Sequence, residues 1–171
     1  MASSMKKSSV FVVDHATAKT VSSNMGPLPM RDFAHSLPMA LLSSRELVMS
    51  QFRPMLRKYE LTEQQWRVLR ALVEFVEVEV TELARRSYIL SPSLSRILQN
   101  LEERGLVQRH AVQTDQRRAR ISISGKGRRL FNAIAPQSEA HYDKIAAAFG
   151  ASKLAQLYDL LGELDAALSD T

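Results

Sequence analysis

Four basic residues lie close together in the stretch TDQRRARISISGKG, residues 114–127. Three of them, Arg117, Arg118 and Arg120, fall within four positions beside Asp115. Like charges at this spacing repel one another, so they add nothing to the stability of a turn. A row of phosphates would separate and neutralise them, which favours binding to a polyanion. The alternative is a solvated basic loop.

A second set of polar residues lies in SPSLSRILQNLEERG, residues 91–105, in which leucines and one isoleucine are spaced as a single buried helix face. The opposite face carries short polar side chains and one arginine, whereas a merely solvated face more often mixes Glu and Lys. Such side chains contact base edges and phosphates. The candidate DNA contacts here are Ser91, Ser93, Ser95, Arg96 and Gln99, with Arg85 and Arg86 as candidate phosphate contacts from the preceding segment.

These residues need a pair of helices and a hairpin to position them. Thr81 and Ser91 are the predicted N-caps of two short helices, and Gly105 ends the second. The stretches at 106–112 and 118–124 alternate as strands, with the basic segment between them. Two helices followed by a hairpin with a basic tip predict a winged helix-turn-helix. Its second helix fits the major groove, and its hairpin reaches the neighbouring minor groove.

Apolar stripes predict further helices on both sides of this unit. One covers residues 36–59 and precedes LTEQQW, where Thr62 and Gln65 form a capping box for the next helix. After the hairpin, Ser124 is the predicted cap of a long helix and Ser152 that of a final helix. The predicted order is four helices, a hairpin and two more helices, a mainly α fold with a small β-wing.

Composition limits the class of protein. The chain has 171 residues, of which 45% are hydrophobic and 24% are charged, as in a single globular domain. It has no cysteine, which excludes disulfides and thiolate metal sites. Residues 85–129 carry 11 Lys and Arg against 3 Asp and Glu, whereas residues 130–171 carry 2 against 6. This asymmetry favours one basic face for a polyanion.

Two further expectations concern the start of the chain and its compartment. Residues 1–30 show no sustained apolar period, and we expect them to be a flexible extension before a domain over residues 31–171. No apolar run approaches the length of a membrane span. We expect a cytoplasmic protein.

The segment ELARRSYILSPSLSRILQNLEERGLVQR, followed by DQRRARISISGKG, resembles the MarR family of bacterial transcriptional regulators. The strings SREL, FRP, LTEQQWR and ILSPSL are similar to the HpaR-type regulators of homoprotocatechuate degradation operons within that family. The resemblance covers residues 36–168. It implies a winged helix-turn-helix at 61–123 and a homodimer built from helices at 36–59 and 124–168.

The same resemblance implies a palindromic DNA operator and an effector. The protein would repress an aromatic-acid catabolic operon until a small aromatic acid, of the hydroxyphenylacetate or dihydroxyphenylacetate type, releases it. In the wing, Asp115, Arg117 and Gly127 match the family pattern. We interpret Asp115 as a brace that pairs with Arg117, because an acid aimed at phosphate would repel it.

Arg45 is the candidate ligand contact that differs most from its surroundings, because it falls on the apolar stripe of the first predicted helix. An unpaired buried charge is costly, so Arg45 must find an anion or reach water. One interpretation is a salt bridge to a carboxylate such as Glu46 or one from the partner helix. The other is a guanidinium that binds the carboxylate of an aromatic acid. Met49, Phe52 and Trp66 are candidate apolar walls, although each is also compatible with plain core.

The sequence offers no pattern for catalysis. Its four histidines are scattered, and no nucleophile has an evident base. We predict no enzyme, no metal and no cofactor. The alternative function is a winged helix used as an architectural or protein-interaction module without a small-molecule ligand. Operator footprinting separates the two functions, because such a module would bind DNA without sequence preference.

Overall fold

The computed structural model describes residues 33, 36–112 and 115–169, with side chains described in these ranges except at 111–112 and 115–118. The predicted extension at 1–30 lies outside the described residues. The described elements confirm the mainly helical winged fold. In chain order they are α1 (Leu37–Lys58), α2 (Glu63–Glu74), β1 (Val78–Glu79), α3 (Val80–Ser87), α4 (Ser91–Glu103), β2 (Val107–Val112), β3 (Asp115–Ile123), α5 (Gly125–Phe149) and α6 (Ala151–Ser169).

Helix α2 is the centre of the domain and begins where the capping box predicts. The Thr62 hydroxyl accepts a hydrogen bond from the Gln65 amide at 3.1 Å, and the Gln65 side-chain oxygen accepts one from the Thr62 amide at 2.9 Å. Trp66, Leu69 and Leu72 of α2 are buried. The helix packs against α1, α3, α4, α5 and β3, so it links the flanking helices to the winged unit.

The sheet has three antiparallel strands in the order β1-β3-β2. Strand β1 was not predicted, because it has only two residues and is defined by the pairing of Val78 with Ile121. The start predicted for the last strand, residue 118, is three residues too late. Strand β3 begins at Asp115, opposite Val112, because backbone pairing extends through polar residues that show no alternation.

Three predicted N-caps are wrong by one or two residues. Thr81 is the second residue of α3, whose N-cap is Glu79. Ser91 is the first residue of α4, whose N-cap is Leu90, and Ser152 is the second residue of α6. Neither Glu79 nor Leu90 makes a side-chain cap, so packing and strand pairing set these boundaries rather than cap chemistry.

Apolar side chains remain exposed on the helices predicted for dimerisation. Helix α6 has no buried residue although it is rich in leucine. The exposed large apolar residues on α1, α6 and the end of α5 are Leu37, Leu41, Leu42, Leu47, Val48, Phe149, Leu157, Tyr158, Leu160 and Leu168. Apolar surface of this extent is typical of a protein–protein interface. Among the described helices none is long and apolar enough to cross a membrane.

Candidate nucleic-acid interface and adjoining cavity

Helix α4 has the two faces that its spacing predicts. Leu94, Leu98 and Leu101 are fully buried, and Ile97 is half-buried. The predicted contact residues Ser91, Ser93, Ser95, Arg96 and Gln99 are all exposed. The structure therefore leaves these polar side chains on a surface that a DNA groove can reach, and their contact with DNA remains a prediction.

The exposed side chains of α4 differ in what they already bind. The Ser95 hydroxyl donates to the carbonyl of Ser91 at 3.1 Å, and the Gln99 amide donates to Glu103 at 3.1 Å. The Arg96 guanidinium has no hydrogen-bond or ion-pair partner within the described part of the chain. Arg96 can therefore bind a base edge or a phosphate without giving up an existing contact.

The two arginines of α3 share one carboxylate. Glu82 accepts hydrogen bonds from Arg85 at 2.7 and 2.9 Å and also from Arg86. These bonds lower the pKa of Glu82 to about 2. The Arg86 guanidinium also lies 3.7 Å from the centre of the Phe75 ring. Arg85 is 72% exposed and stays the better candidate for a phosphate contact, because Arg86 is held on the ring.

The wing is tied to the rest of the domain by ion pairs. Arg109 of β2 binds both oxygens of Glu102 at the end of α4, at 3.1 Å each. Arg120 is predicted at the hairpin tip, but its backbone lies opposite that of Glu79 in β1, and its guanidinium forms an ion pair with Glu77 at 3.8 Å. It therefore lies within the sheet, away from the tip. The side chains of Asp115, Arg117 and Arg118 lie outside the described part, so their roles stay predictions.

A cavity of about 410 Å³ lies between α1, α2, α5 and the turn that joins α3 to α4. This volume is in the range of small-molecule sites. All four predicted ligand residues line it. Met49, Phe52 and Trp66 contribute apolar side chains to this lining and Arg45 contributes a charged one, and their contact with a ligand stays a prediction. The remaining lining residues are Val48, Glu63, Arg67, Arg70, Tyr88 and Tyr142.

Arg45 belongs to a closed ring of two arginines and two glutamates. Its guanidinium donates to Glu46 at 2.7 Å and to Glu63 at 2.8 Å, and Arg53 donates to the other oxygen of each carboxylate. Burial raises the pKa of Glu63, but hydrogen bonds from Arg53 and Arg45 more than offset it and hold that pKa below its usual value. The structure thus contains the salt bridge named as the first interpretation of Arg45.

Two other arginines of the cavity were not predicted. Arg70 donates to the Tyr142 hydroxyl at 2.8 Å, and Arg67 donates to the carbonyl of Ser87 at 3.0 Å. Neither has a carboxylate partner among the described residues, so the cavity carries positive charge that is not compensated. The sequence does contain one signal that could have identified them, because their spacing of three residues puts both on one face of α2. The position of Tyr142, which is 72 residues further along, was not visible in the sequence.

Comparison with known proteins identifies the family. Residues 59–118 match the model of the MarR family. The homoprotocatechuate degradative operon repressor of Escherichia coli is 45% identical over 128 residues, which make up 75% of this chain and 86% of that protein. The chain belongs to the MarR family. It is therefore a DNA-binding transcriptional regulator rather than an enzyme, and MarR regulators are dimers.

Solved structures of similar regulators have the same fold. NadR in complex with 4-hydroxyphenylacetate has a TM-score of 0.69 and 38% identity, covering 80% of this chain and 97% of the other. CouR bound to a 23-mer DNA duplex has a TM-score of 0.72 and 26% identity, covering 81% of this chain and 99% of the other.

Proposed function

We propose that this MarR-family protein represses an aromatic-acid catabolic operon and leaves its operator when it binds a small aromatic carboxylate of the hydroxyphenylacetate or dihydroxyphenylacetate type. The observation that carries the proposal is a cavity with aromatic walls and two guanidinium groups that lack a carboxylate partner in the described chain. This class of effector is supported by the similarity to a repressor of a homoprotocatechuate degradative operon and to NadR, whose structure contains 4-hydroxyphenylacetate. We infer that the protein acts in the cytoplasm, where bacterial operator DNA lies.

We propose that the carboxylate of the effector binds Arg70 rather than Arg45. The described partner of the Arg70 guanidinium is the neutral hydroxyl of Tyr142, so a carboxylate gains a charge-assisted hydrogen bond without breaking an ion pair. At Arg45 it would have to displace Glu46 or Glu63. Arg45 therefore stays at the rim of the site, and the aromatic ring of the effector lies against the apolar wall that includes Trp66.

DNA binding uses two copies of the winged unit. In a two-fold dimer joined through α1, α5 and α6, the two α4 helices address half-sites about one helical turn apart, which favours a palindromic operator. The exposed polar face of α4 enters the major groove, and the wing arginines Arg117 and Arg118 approach the minor groove. Arg85 contacts the phosphate backbone.

Release requires that the effector favour the arrangement that cannot bind DNA. The cavity adjoins α1, which belongs to the dimer side of the molecule, and also the turn before α4. A ligand held between them therefore acts on the two elements that set the spacing of the recognition helices. A shift of this kind changes operator affinity although the ligand touches no DNA.

The test is operator binding with increasing 4-hydroxyphenylacetate, compared with 4-hydroxyphenylethanol, which keeps the ring and lacks the carboxylate. We expect the acid to release the operator at a concentration at least tenfold lower, which corresponds to about 1.4 kcal/mol, within the range of one charge-assisted hydrogen bond. Equal release by the two compounds would contradict the carboxylate site. Binding to random DNA as tightly as to the operator would favour the architectural module.

A pair of arginine variants locates the carboxylate. Arg70→Met is expected to keep dimerisation and operator binding but to require at least tenfold more acid for release. Arg45→Met removes the same charge from the same cavity, but from a guanidinium whose two carboxylate partners remain with Arg53, so we expect less than a threefold change. The reverse order of effects would place the carboxylate on Arg45.

A further inference from the structure

The turn between α3 and α4 is part of the cavity wall. Tyr88, the first residue after α3, lines the cavity and has a φ of 50°, in the left-handed region that non-glycine residues rarely adopt. Ile89 is buried, and Leu90 is the N-cap of α4. Because only these residues separate the cavity from α4, a rearrangement at Tyr88 changes the position of the recognition helix.

Arg67 connects this turn to α2. Its guanidinium donates at 3.0 Å to the carbonyl of Ser87, the last residue of α3. Ser87 is 1% exposed, and its hydroxyl donates to the carbonyl of Leu83 at 2.5 Å. The last carbonyls of a helix lack partners within the helix and favour a nearby cation. Arg67 thus supplies a charged partner to the end of α3 from inside the cavity.

The other two arginines of the cavity hold different elements. Arg70 binds Tyr142 of α5, and Arg45 binds Glu46 and Glu63. Among the described side chains that line the cavity, Arg67 is the one that donates a hydrogen bond to the backbone of the helix-turn-helix. It also lies three residues before Arg70 on α2, on the face where the effector carboxylate is placed.

We propose that Arg67 is the positioning residue that transmits effector binding to the recognition helix. This inference rests on the proposed function, because it needs an aromatic acid in the cavity. A carboxylate is a stronger acceptor for a guanidinium than a neutral carbonyl is. The bound acid therefore draws Arg67 away from Ser87, the end of α3 loses its partner, and the turn before α4 leaves the arrangement that fits DNA.

The experiment compares wild type, Arg67→Met, Arg67→Lys and the control Arg104→Met. Arg104 also donates to carbonyls at the end of a helix, those of Glu60 at 2.8 Å and Tyr59 at 3.2 Å, but it lies outside the effector cavity. For each protein the operator Kd is measured without acid and with saturating 4-hydroxyphenylacetate. Saturation is followed by the fluorescence of Trp66, the single tryptophan, which lines the cavity.

We expect the acid to raise the operator Kd of wild type and Arg104→Met at least tenfold. For Arg67→Met we expect less than a threefold rise at saturation, together with weaker operator binding in the absence of acid, because the anchor on Ser87 is already missing. Arg67→Lys keeps a cation near Ser87 and restores part of the acid effect. The ratio of the two Kd values does not respond to a general loss of stability, since both are measured on folded protein.

An Arg67→Met protein that saturating acid releases by the same factor as wild type would overturn the inference. If the acid changes neither Trp66 fluorescence nor operator binding in wild type, the proposed function fails instead. In that case the role of the Arg67–Ser87 hydrogen bond is tested by the operator Kd measured without acid. Operator binding by Arg67→Met that is weaker than by Arg104→Met then supports only the positioning of α4 by the Arg67–Ser87 hydrogen bond, and equal binding overturns that role as well.

Discussion

Replacement of Gly127 by alanine is expected to disrupt the base of the wing. Gly127 is buried in the first turn of α5, and its amide donates to the capping hydroxyl of Ser124 at 2.9 Å. An added Cβ would lie 2.0 Å from the carbonyl oxygen of Leu106 and 2.9 Å from Cγ1 of Ile123, whereas ordinary contacts begin at 3.4 Å. The Leu106 oxygen cannot turn away freely, because it accepts the Ser124 amide at 3.0 Å.

The magnitude follows from these contacts. Overpacking of this kind costs about 1–3 kcal/mol, and a strained or broken backbone hydrogen bond adds about 0.5–1.5 kcal/mol. We therefore expect a loss of about 2–4 kcal/mol in the free energy of unfolding, or about 5–15 °C in Tm for a chain of this size. Since Leu106 precedes the hairpin and Ser124 follows it, operator affinity should fall as well.

The assay is thermal unfolding by circular dichroism at one dimer concentration, with Gly125→Ala as the control. At Gly125 the nearest atom to an added Cβ is the flexible end of Arg129 at 3.6 Å. That variant should unfold at the wild-type temperature or slightly above it, because alanine restricts the unfolded chain. A Gly127→Ala protein as stable as Gly125→Ala would refute the steric argument.

Further predictions concern DNA binding and pH. Arg96→Ala should cost about 1–3 kcal/mol in operator binding and relax preference at one base pair, whereas Arg118→Ala should weaken specific and random DNA more evenly. Equal losses on both DNAs for both variants would exclude base readout by Arg96. The logarithm of operator affinity should fall with the logarithm of salt concentration by about 0.9 per phosphate contacted, and a flat dependence would contradict the interface. The pKa of Glu82 lies at about 2 in the folded protein against an ordinary value of 4.5. Because the folded pKa is the lower one, the Glu82 ion pairs stabilise α3 above about pH 5 and lose this effect as the pH falls. The difference in unfolding free energy between wild type and Glu82→Gln, from urea titrations, should therefore shrink between about pH 5 and pH 3, and a constant difference would contradict this assignment.

The sequence by itself determined the helices and the general function. The capping box of Thr62 and Gln65 and the leucine face of α4 depend on residues three or four positions apart, which the chain displays directly. The order of six helices with a hairpin between the fourth and fifth follows from such local patterns. The strings that resemble MarR regulators are equally local, so the family was visible before any contact was known.

Tertiary structure decided which charges meet and where the strands begin. Strand β1 exists because Val78 pairs with Ile121, far along the chain. The charge of Arg45 is compensated because Glu63, 18 residues away, lies beside it, whereas Arg70 donates to the hydroxyl of Tyr142 and has no carboxylate partner among the described residues. The spacing of residues along a helix assigns a side chain to one face. Whether its charge is paired with an opposite charge depends on its neighbours in space. Those neighbours are set by the packing of α1, α2 and α5, which no local pattern contains.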